Sequence, residues 1–422
     1  MKGIPRSIGQ FFGGQYYCGL DIGSFKVKAS LNRVVDAQTL ELLAVNEADT
    51  RGLAAASIND ISDFSSCISA AMDGVLRKTR IKVRDVHVGL GGEFIDTRLS
   101  RALIPLVERG NKIVTARDLH HARQQARMLG VRLDEEVVCD MVQQFKVDDV
   151  NIALNPIGLY GRKLEVETLL VLANITRLRN LTKAVQQAGF EVNDVHFNAW
   201  AATELMLDRR HRNDGCVFVD LGARTSLVLV FKEGLLKGFR KVEVGGDLMT
   251  QHIAASLNIP FQLAEDIKKS YGRVLDGKSD LTQDVGLSSE EILIKKDAGF
   301  VPVKRDALSH AIEPDIRLIS DQIRQVVALS GYEGQLKSGI VVVGGGSLLA
   351  GLMERMENDA HMPVSLGRNI PGLNSAAVYC ISTSLAEMGY KNTLRYKLDS
   401  QKPKDWWDGF KAKAEELSNE YF

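Results

Sequence analysis

The sequence predicts an α/β fold in which two copies of a βββαβα unit face each other across a central cleft. Three observations carry that reading. Apolar residues lead into Asp21-Ile22-Gly23-Ser24, and alternation resumes through Val27, Ala29 and Leu31, which is strand, tight turn, strand. The pattern returns half a chain later, where Cys216 to Val219 enter Asp220-Leu221-Gly222-Ala223-Arg224-Thr225-Ser226 and the apolar run Leu227 to Val230. Near the end, Ile340 to Val343 run into Gly344-Gly345-Gly346-Ser347, a buried strand entering a glycine triplet.

A single Asp-x-Gly between apolar runs is usually only a hairpin turn. Two copies with a third glycine turn point instead to nucleotide chemistry. Glycine beside aspartate is expected to take positive φ and bring backbone N–H groups close to a phosphate. Asp21 and Asp220, each at a strand end, suit a hydrated Mg²⁺ held through water. Ser24 and Thr225 offer hydroxyls, Lys26 offers a compact cation, and Ser347 is placed to cap the helix after the triplet.

In chain order, residues 1–15 interleave glycines and read as a loose arm. A third strand is expected from Leu40 to Val45, a helix from Asn59 to Lys78 with Ile61, Phe64, Ile68, Met72 and Val75 on one face, and a strand from Val83 to Leu90 ending at Gly91-Gly92. The texture then changes. Thr115 and Asp118 form a capping-box start to a helix that stops at Gly130, and strand-like runs cover Val137 to Val147 and Lys163 to Leu172. His120 and His121 are adjacent and point to different helix faces, so they are not a shared metal site. Helices are expected at Arg177 to Gly189 and Phe197 to Met206.

The second half repeats the order, with a strand from Leu235 to Val244, Gly245-Gly246-Asp247, and helices through Ile253 and from Phe261 to Lys268. Glu265 and Lys268 share a helix face, as a surface ion pair also would. Residues 277–304 are polar and hairpin-like, Glu313 to Ser330 is a long helix, and Asn374 to Met388 is a small-residue helix mirroring the one at Asn198. After a linker at 399–404, Trp406, Phe410, Ala414, Leu417 and Tyr421 recur at helical spacing beside Trp407 and Phe422. Paired tryptophans suit a membrane interface, although acidic residues outnumber lysines there; docking on the body or on another protein fits equally.

Composition narrows the classes. The chain has 422 residues and a formal net charge of zero, so bulk electrostatics suggest no nucleic-acid partner. Five scattered cysteines exclude a zinc spacing and a disulfide framework and suit a reducing, cytoplasmic setting. No run approaches the length of a membrane-spanning helix.

Duplicated halves, two aspartate turns and a glycine-rich turn together resemble the actin/Hsp70/sugar-kinase superfamily, and within it the FtsA family of bacterial cell-division actins. The residues that carry this, shared by that family and its relative PilM, are Val88-Gly89-Leu90-Gly91-Gly92-Glu93 with Ser100-Arg101, Asn155-Pro156-Ile157-Gly158-Leu159 before Leu164-Glu165, Ala188-Gly189-Phe190-Glu191-Val192, and Ala311-Ile312-Glu313-Pro314; the length and the terminal amphipathic helix favour FtsA. The resemblance implies an actin-like core of 16–87 with 167–199 and of 200–250 with 332–398, an FtsA-type inserted subdomain at 88–166, a small subdomain at 251–331, and a membrane-targeting helix at 405–422.

It also implies ATP with Mg²⁺ between the halves. Asp21, Gly23, Ser24 and Lys26 would form the first phosphate loop, and Asp220, Gly222, Thr225 and Ser226 the second, with Gly245 and Gly246 beside them. Glu265 and Lys268 would meet base and ribose, and Gly344, Gly345, Gly346 and Ser347 would form the adenosine turn. Implied partners are the C-terminal peptide of FtsZ, further copies in filaments, other division proteins through the insert, and lipid on the inner face of the cell membrane through Trp406, Trp407, Phe410, Leu417, Tyr421 and Phe422. One departure stands out: Ala223 and Arg224 replace the usual glycines, and alanine resists positive φ, which predicts a looser approach to a terminal phosphate. Arg224 either reaches the phosphates or points away, so at most slow ATP hydrolysis is expected and the nucleotide acts as a switch. The alternatives are a PilM-like platform for a pilus or secretion assembly and a sugar-kinase-type phosphotransferase.

Overall fold

The computed structural model describes residues 15–36, 39–106, 112–153, 155–275, 291–296, 299–373 and 375–400. Two five-stranded sheets form its halves. In the first the strand order is Glu191–Phe197, Asp85–Leu90, Tyr16–Ile22, Lys26–Val34, Leu40–Asp49. In the second it is Val364–Leu366, Ile340–Val343, Cys216–Leu221, Ser226–Lys232, Leu235–Val242. Each aspartate strand is central, with an antiparallel hairpin partner on one side and a parallel partner on the other: Asp21 pairs with Lys28 and Gly89, and Asp220 with Leu227 and Val343. Strands flanked on both sides are apolar on both faces, and Cys216–Leu221 is buried throughout.

The inserted sheet runs Asn151–Ala153, Glu135–Val147, Lys163–Asn174, Ile95–Pro105, all antiparallel. Helix Ala116–Leu129 lies on it, started by the expected Thr115/Asp118 capping box, and buries Ala122 and Ala126 against Ala102, Ile104, Leu164 and Val166. Asp85–Leu90 belongs to the first core sheet and Lys163–Asn174 is one uninterrupted strand of the insert, so both expected boundaries of the insert, 88 and 166, fall inside strands.

Most expected helices appear within a few residues. Ile61–Thr79 is capped by Asp60, whose carboxylate accepts from the N–H groups of Ser62 and Asp63, and it buries Phe64, Ile68, Met72 and Val75. The helix expected from Glu313 begins earlier, at Arg305, and continues through Pro314 to Ser330. Of the hairpin-like stretch expected at 277–304, Glu291–Lys296 pairs antiparallel with Gly299–Lys304, and residues 277–290 and 297–298 lie outside the described residues. The last helix, Ala376–Ser400, passes its expected end at Met388 and takes in part of the expected linker. Within it Gly389 lies against the His87 ring, where a Cβ would meet Nε2 at 2.2 Å. The helix lies on the first sheet and on helix Asn198–Met206, so the end of the chain closes the core of its beginning. The arm before Gln15 and the tail with Trp406, Trp407, Phe410, Leu417, Tyr421 and Phe422 lie outside the described residues.

Candidate functional site

A cavity of about 550 Å³ opens between the two halves, within the range of a nucleotide-sized ligand. Both aspartate turns, the glycine triplet and helices Gly246–Leu257, Phe261–Tyr271 and Arg305–Ser330 of the second half contribute to its wall. The turns are matched in detail. Gly23 donates its N–H to the Lys26 carbonyl at 3.2 Å, and Gly222 donates to the Thr225 carbonyl at 3.1 Å. Neither glycine has positive φ, contrary to expectation. Glycine is needed there for space: a Cβ would lie 2.7 Å from the Lys26 oxygen or 2.8 Å from the Thr225 oxygen. Ala223 is likewise outside the positive-φ region, as the resistance of alanine to that conformation requires.

Asp21 and Asp220 are both buried and both line the cavity. Asn198 donates from Nδ2 to Asp21 Oδ1 at 2.7 Å. Burial raises the Asp21 carboxyl above its usual range, against the opposing pull of Lys28 and that hydrogen bond. Asp220 is pushed up to about 7, first by burial and then by the neighbouring Asp21, with Lys28 again opposing. Two buried carboxylates on one cavity, the second raised by the first, are a donor set suited to a hard divalent cation.

The cations of the site are held by carboxylates and, at Lys28, by a backbone carbonyl. Lys26 pairs with Glu47, and Lys28 donates to the Val378 carbonyl at 3.0 Å. Burial alone would raise Glu47, but Lys26 and Lys28 outweigh it and hold that carboxyl below its usual range. Arg224 does not point away: Nη1 reaches Glu93 Oε1 at 2.9 Å and Nε lies 3.6 Å from Asp247. The other Glu93 oxygen accepts the Ser24 hydroxyl.

The Glu265–Lys268 pair is no surface pair. Lys268 Nζ is 2.7 Å from the buried Glu265 carboxylate and also donates to Gly246 O and Thr250 Oγ1 at 2.7 and 2.6 Å. Burial would raise Glu265, yet hydrogen bonds from Lys268 and Thr250 leave it below its usual range. Lys269 sits over the Phe25 ring at 4.8 Å, linking this helix to the first turn. The glycine triplet enters with Gly344 at φ +89°, where a Cβ would lie 2.4 Å from Leu221 O.

Thirteen of the sixteen expected cofactor-binding residues line the cavity: Asp21, Gly23, Ser24, Lys26, Asp220, Gly222, Thr225, Gly246, Glu265, Lys268, Gly344, Gly345 and Gly346. Ser226, Gly245 and Ser347 do not. Ser226 starts the return strand facing the other way, and its hydroxyl donates to Val244 O at 2.6 Å. Gly245 packs against the carbonyls of Ala223 and Gly222. Ser347 caps no helix, because the 3-10 turn Gly345–Leu348 intervenes and its hydroxyl bends back to Gly344 O at 2.7 Å. The next helix starts only at Leu352.

Sequence reasoning missed Lys28, Asn198, Glu93, Asp247 and Lys269 in the wall. Lys28 carried a signal, since it lies two places after Lys26 on the same face of a strand. So did Glu93: its Gly91-Gly92 follows the parallel strand of the first sheet as Gly344-Gly345 follows that of the second.

Two family models match the chain. The one described as "Cell division protein FtsA" covers residues 217–386, and "SHS2 domain inserted in FTSA" covers residues 94–172. Cell division protein FtsA of Pseudomonas aeruginosa is 27% identical over 356 residues, spanning 84% of this chain and 83% of that protein. FtsA of Escherichia coli K12 is 25% identical over 398 residues, spanning 91% and 92%. Among solved structures, a PilM-PilN type IV pilus biogenesis complex matches with a TM-score of 0.64 at 15% identity, covering 89% of this chain and 98% of that one. MreB5 of Spiroplasma citri bound to ADP matches with a TM-score of 0.51 at 13% identity, covering 91% and 98%. The structural likenesses show an actin-like fold. With family models on both the core and its insert, the chain belongs to the FtsA family of actin-like cell-division proteins.

Proposed function

We propose that the cavity binds ATP with Mg²⁺ and that the bound nucleotide sets how the two halves close. The observation that carries this reading is the matched pair of turns placing Asp21 and Asp220 on one cavity, each with a lysine, hydroxyl or guanidinium group beside it. Asp21 and Asp220 would hold the cation through water, and bound Mg²⁺ would offset the charge of both carboxylates and phosphates. Lys26, Lys28 and Arg224 would face the phosphates, while Lys268, Glu265 and Gly344 to Gly346 would flank ribose and base. The ADP carried by the MreB5 neighbour supports a nucleotide in a cleft of this fold.

Membership of the FtsA family supports the wider role over the pilus-platform and sugar-kinase alternatives. In that role the protein polymerises on the inner face of the cytoplasmic membrane, anchors there through residues 405–422, and tethers FtsZ by its C-terminal peptide and other division proteins through the insert. Nucleotide serves as a conformational switch with at most slow hydrolysis.

Two experiments test this. Equilibrium binding of labelled ATP is expected for the wild type with Mg²⁺ and is expected to be lost in Asp21→Ala and Asp220→Ala; equal binding by all three would sink the nucleotide site. Co-sedimentation with anionic liposomes is expected for the full chain and not for one ending at 404; retention by the shortened chain would rule out the tail as anchor.

A further inference from the structure

The root of the insert enters the cavity. Strand Asp85–Leu90 of the first sheet ends at Gly91, and a 3-10 turn, Gly92–Phe94, leads directly into the first strand of the insert, Ile95–Pro105. That turn sits tightly against the second half: a Cβ on Gly92 would lie 2.5 Å from Thr225 Oγ1. Its Glu93 side chain is about one-tenth exposed and bridges the two matched turns, accepting the Ser24 hydroxyl with one oxygen and Arg224 Nη1, at 2.9 Å, with the other. Asp247 flanks the same guanidinium at 3.6 Å and keeps it at the cavity.

A carboxylate that takes a hydroxyl from one turn and a guanidinium from the other occupies the donors that the outermost phosphate of a nucleotide between those turns would need. We propose that Glu93 is a resident stand-in for a terminal phosphate: a nucleoside triphosphate must displace it to reach Ser24 and Arg224, whereas a diphosphate, one group shorter, leaves it in place. Glu93 is thus a specificity-determining residue that lowers affinity for triphosphate relative to diphosphate.

The displaced group is anchored to the insert. Glu93 is followed by Phe94 and Ile95, both buried in the core, and Ile95 O accepts from Lys241 of the second half at 3.1 Å. Lys237 of the same strand donates to Gln143 O in the insert at 3.4 Å. Triphosphate binding is therefore coupled to the seat of the insert on the second half, and diphosphate binding is not. This inference rests on the nucleotide reading above.

The test uses the full chain with Mg²⁺ and two probes, ADP and a β,γ-imido triphosphate that cannot be hydrolysed, comparing wild type with Glu93→Gln and Glu93→Ala. Expected is about tenfold tighter binding of the imido triphosphate by both variants, the effect of removing one charge-assisted competitor, with ADP affinity unchanged within about twofold. ADP affinity also reports that each variant is folded. A second readout is melting temperature: both variants are expected to melt lower than wild type without nucleotide and to lose that deficit with the imido triphosphate. An unchanged triphosphate-to-diphosphate ratio, or weaker triphosphate binding, overturns the proposal while leaving the nucleotide site intact. Loss of ADP binding in the variants alone makes Glu93 structural and overturns it too. No binding of either probe by wild type overturns both readings.

Discussion

Asn198 Nδ2 and Asp21 Oδ1 meet at 2.7 Å, joining the first residue of the helix that ends the first half to the turn that begins it. The bond is buried, and it is one of two influences, with Lys28, that oppose the desolvation of that carboxyl. Removing a hydrogen bond to a charged group costs about 1.5–3 kcal/mol. Asn198→Ala is therefore expected to lose stability in that range in chemical denaturation. Asn198→Asp, which places a like charge against Asp21, should lose more. Equal stability of wild type and Asn198→Ala would mean that the bond contributes nothing.

Asp220 behaves oppositely. It shares its cavity with Asp21, whose charge, after burial, disfavours ionisation of Asp220. Asp220→Asn removes one of the two charges without changing shape. The nucleotide-free protein is expected to be as stable as wild type or more so, by up to about 1 kcal/mol, although most substitutions at buried positions destabilise. The rise in melting temperature produced by Mg-ATP is expected to vanish in the same variant, because ligand stabilisation follows affinity. A thermal scan with and without Mg-ATP reads both signs. A large loss of stability in Asp220→Asn would show that its charge is already satisfied.

The glycine triplet separates fold from function. Gly344 needs to be glycine: its φ is +89°, and a Cβ would lie 2.4 Å from Leu221 O and 2.7 Å from Asp220 Oδ1. Gly344→Ala is expected to cost roughly 2 kcal/mol or more and to disturb Asp220. Gly345, by contrast, has nothing within 4 Å of the Cβ position yet lines the cavity. Gly345→Ala is expected to leave the denaturation midpoint unchanged and to weaken nucleotide binding, by narrowing the face against which a ring would lie. If Gly345→Ala binds as wild type does, the triplet does not touch the ligand.

Which parts of this site are legible in the sequence follows from how each residue reaches it. The aspartate turns and the triplet are local, and a strand-turn pattern is enough to find them. Thr225 and Ser226 look equivalent as neighbouring hydroxyls, but alternation puts Thr225 on the cavity and sends Ser226 to Val244. Asn198 arrives through packing between distant elements, and no local pattern marks it, whereas Asp247 directly follows the turn Gly245-Gly246. Arg224 reads ambiguously because its direction is decided by Glu93, which is remote in sequence. The duplication was the underused signal: carried through to the parallel strands, it maps the triplet onto Gly91-Gly92 and places Glu93 in the cleft.

The last helix rests on a pair of buried imidazoles, which makes its docking sensitive to acid. His87 and His196 lie on adjacent strands with ring centroids 5.8 Å apart; Tyr17 stacks on His87 at 6.0 Å, and Gly389 of the helix lies against the His87 ring, with Tyr390 packed on Tyr17. Burial, and then His196, push His87 down from 6.5 to about 4, against the opposing Asp194; burial also lowers His196. His87 is thus neutral in the folded protein above about 4, while in the unfolded chain it takes up a proton below about 6.5. For His87 the unfolded state therefore binds more protons between about 6.5 and 4, and stability, complete above that window, is lost as pH falls through it, by up to about 1.4 kcal/mol per pH unit, with His196 acting in the same direction. His87 Nδ1 has no hydrogen-bond partner among the described residues, so His87→Phe removes the titration and keeps an aromatic ring against Tyr17. The denaturation free energy of His87→Phe, measured from pH 7.5 to 4.5 (about the span of the titration), is expected to fall less steeply than that of wild type, by up to one proton's slope. Parallel pH profiles for the two proteins would show that His87 does not titrate on unfolding.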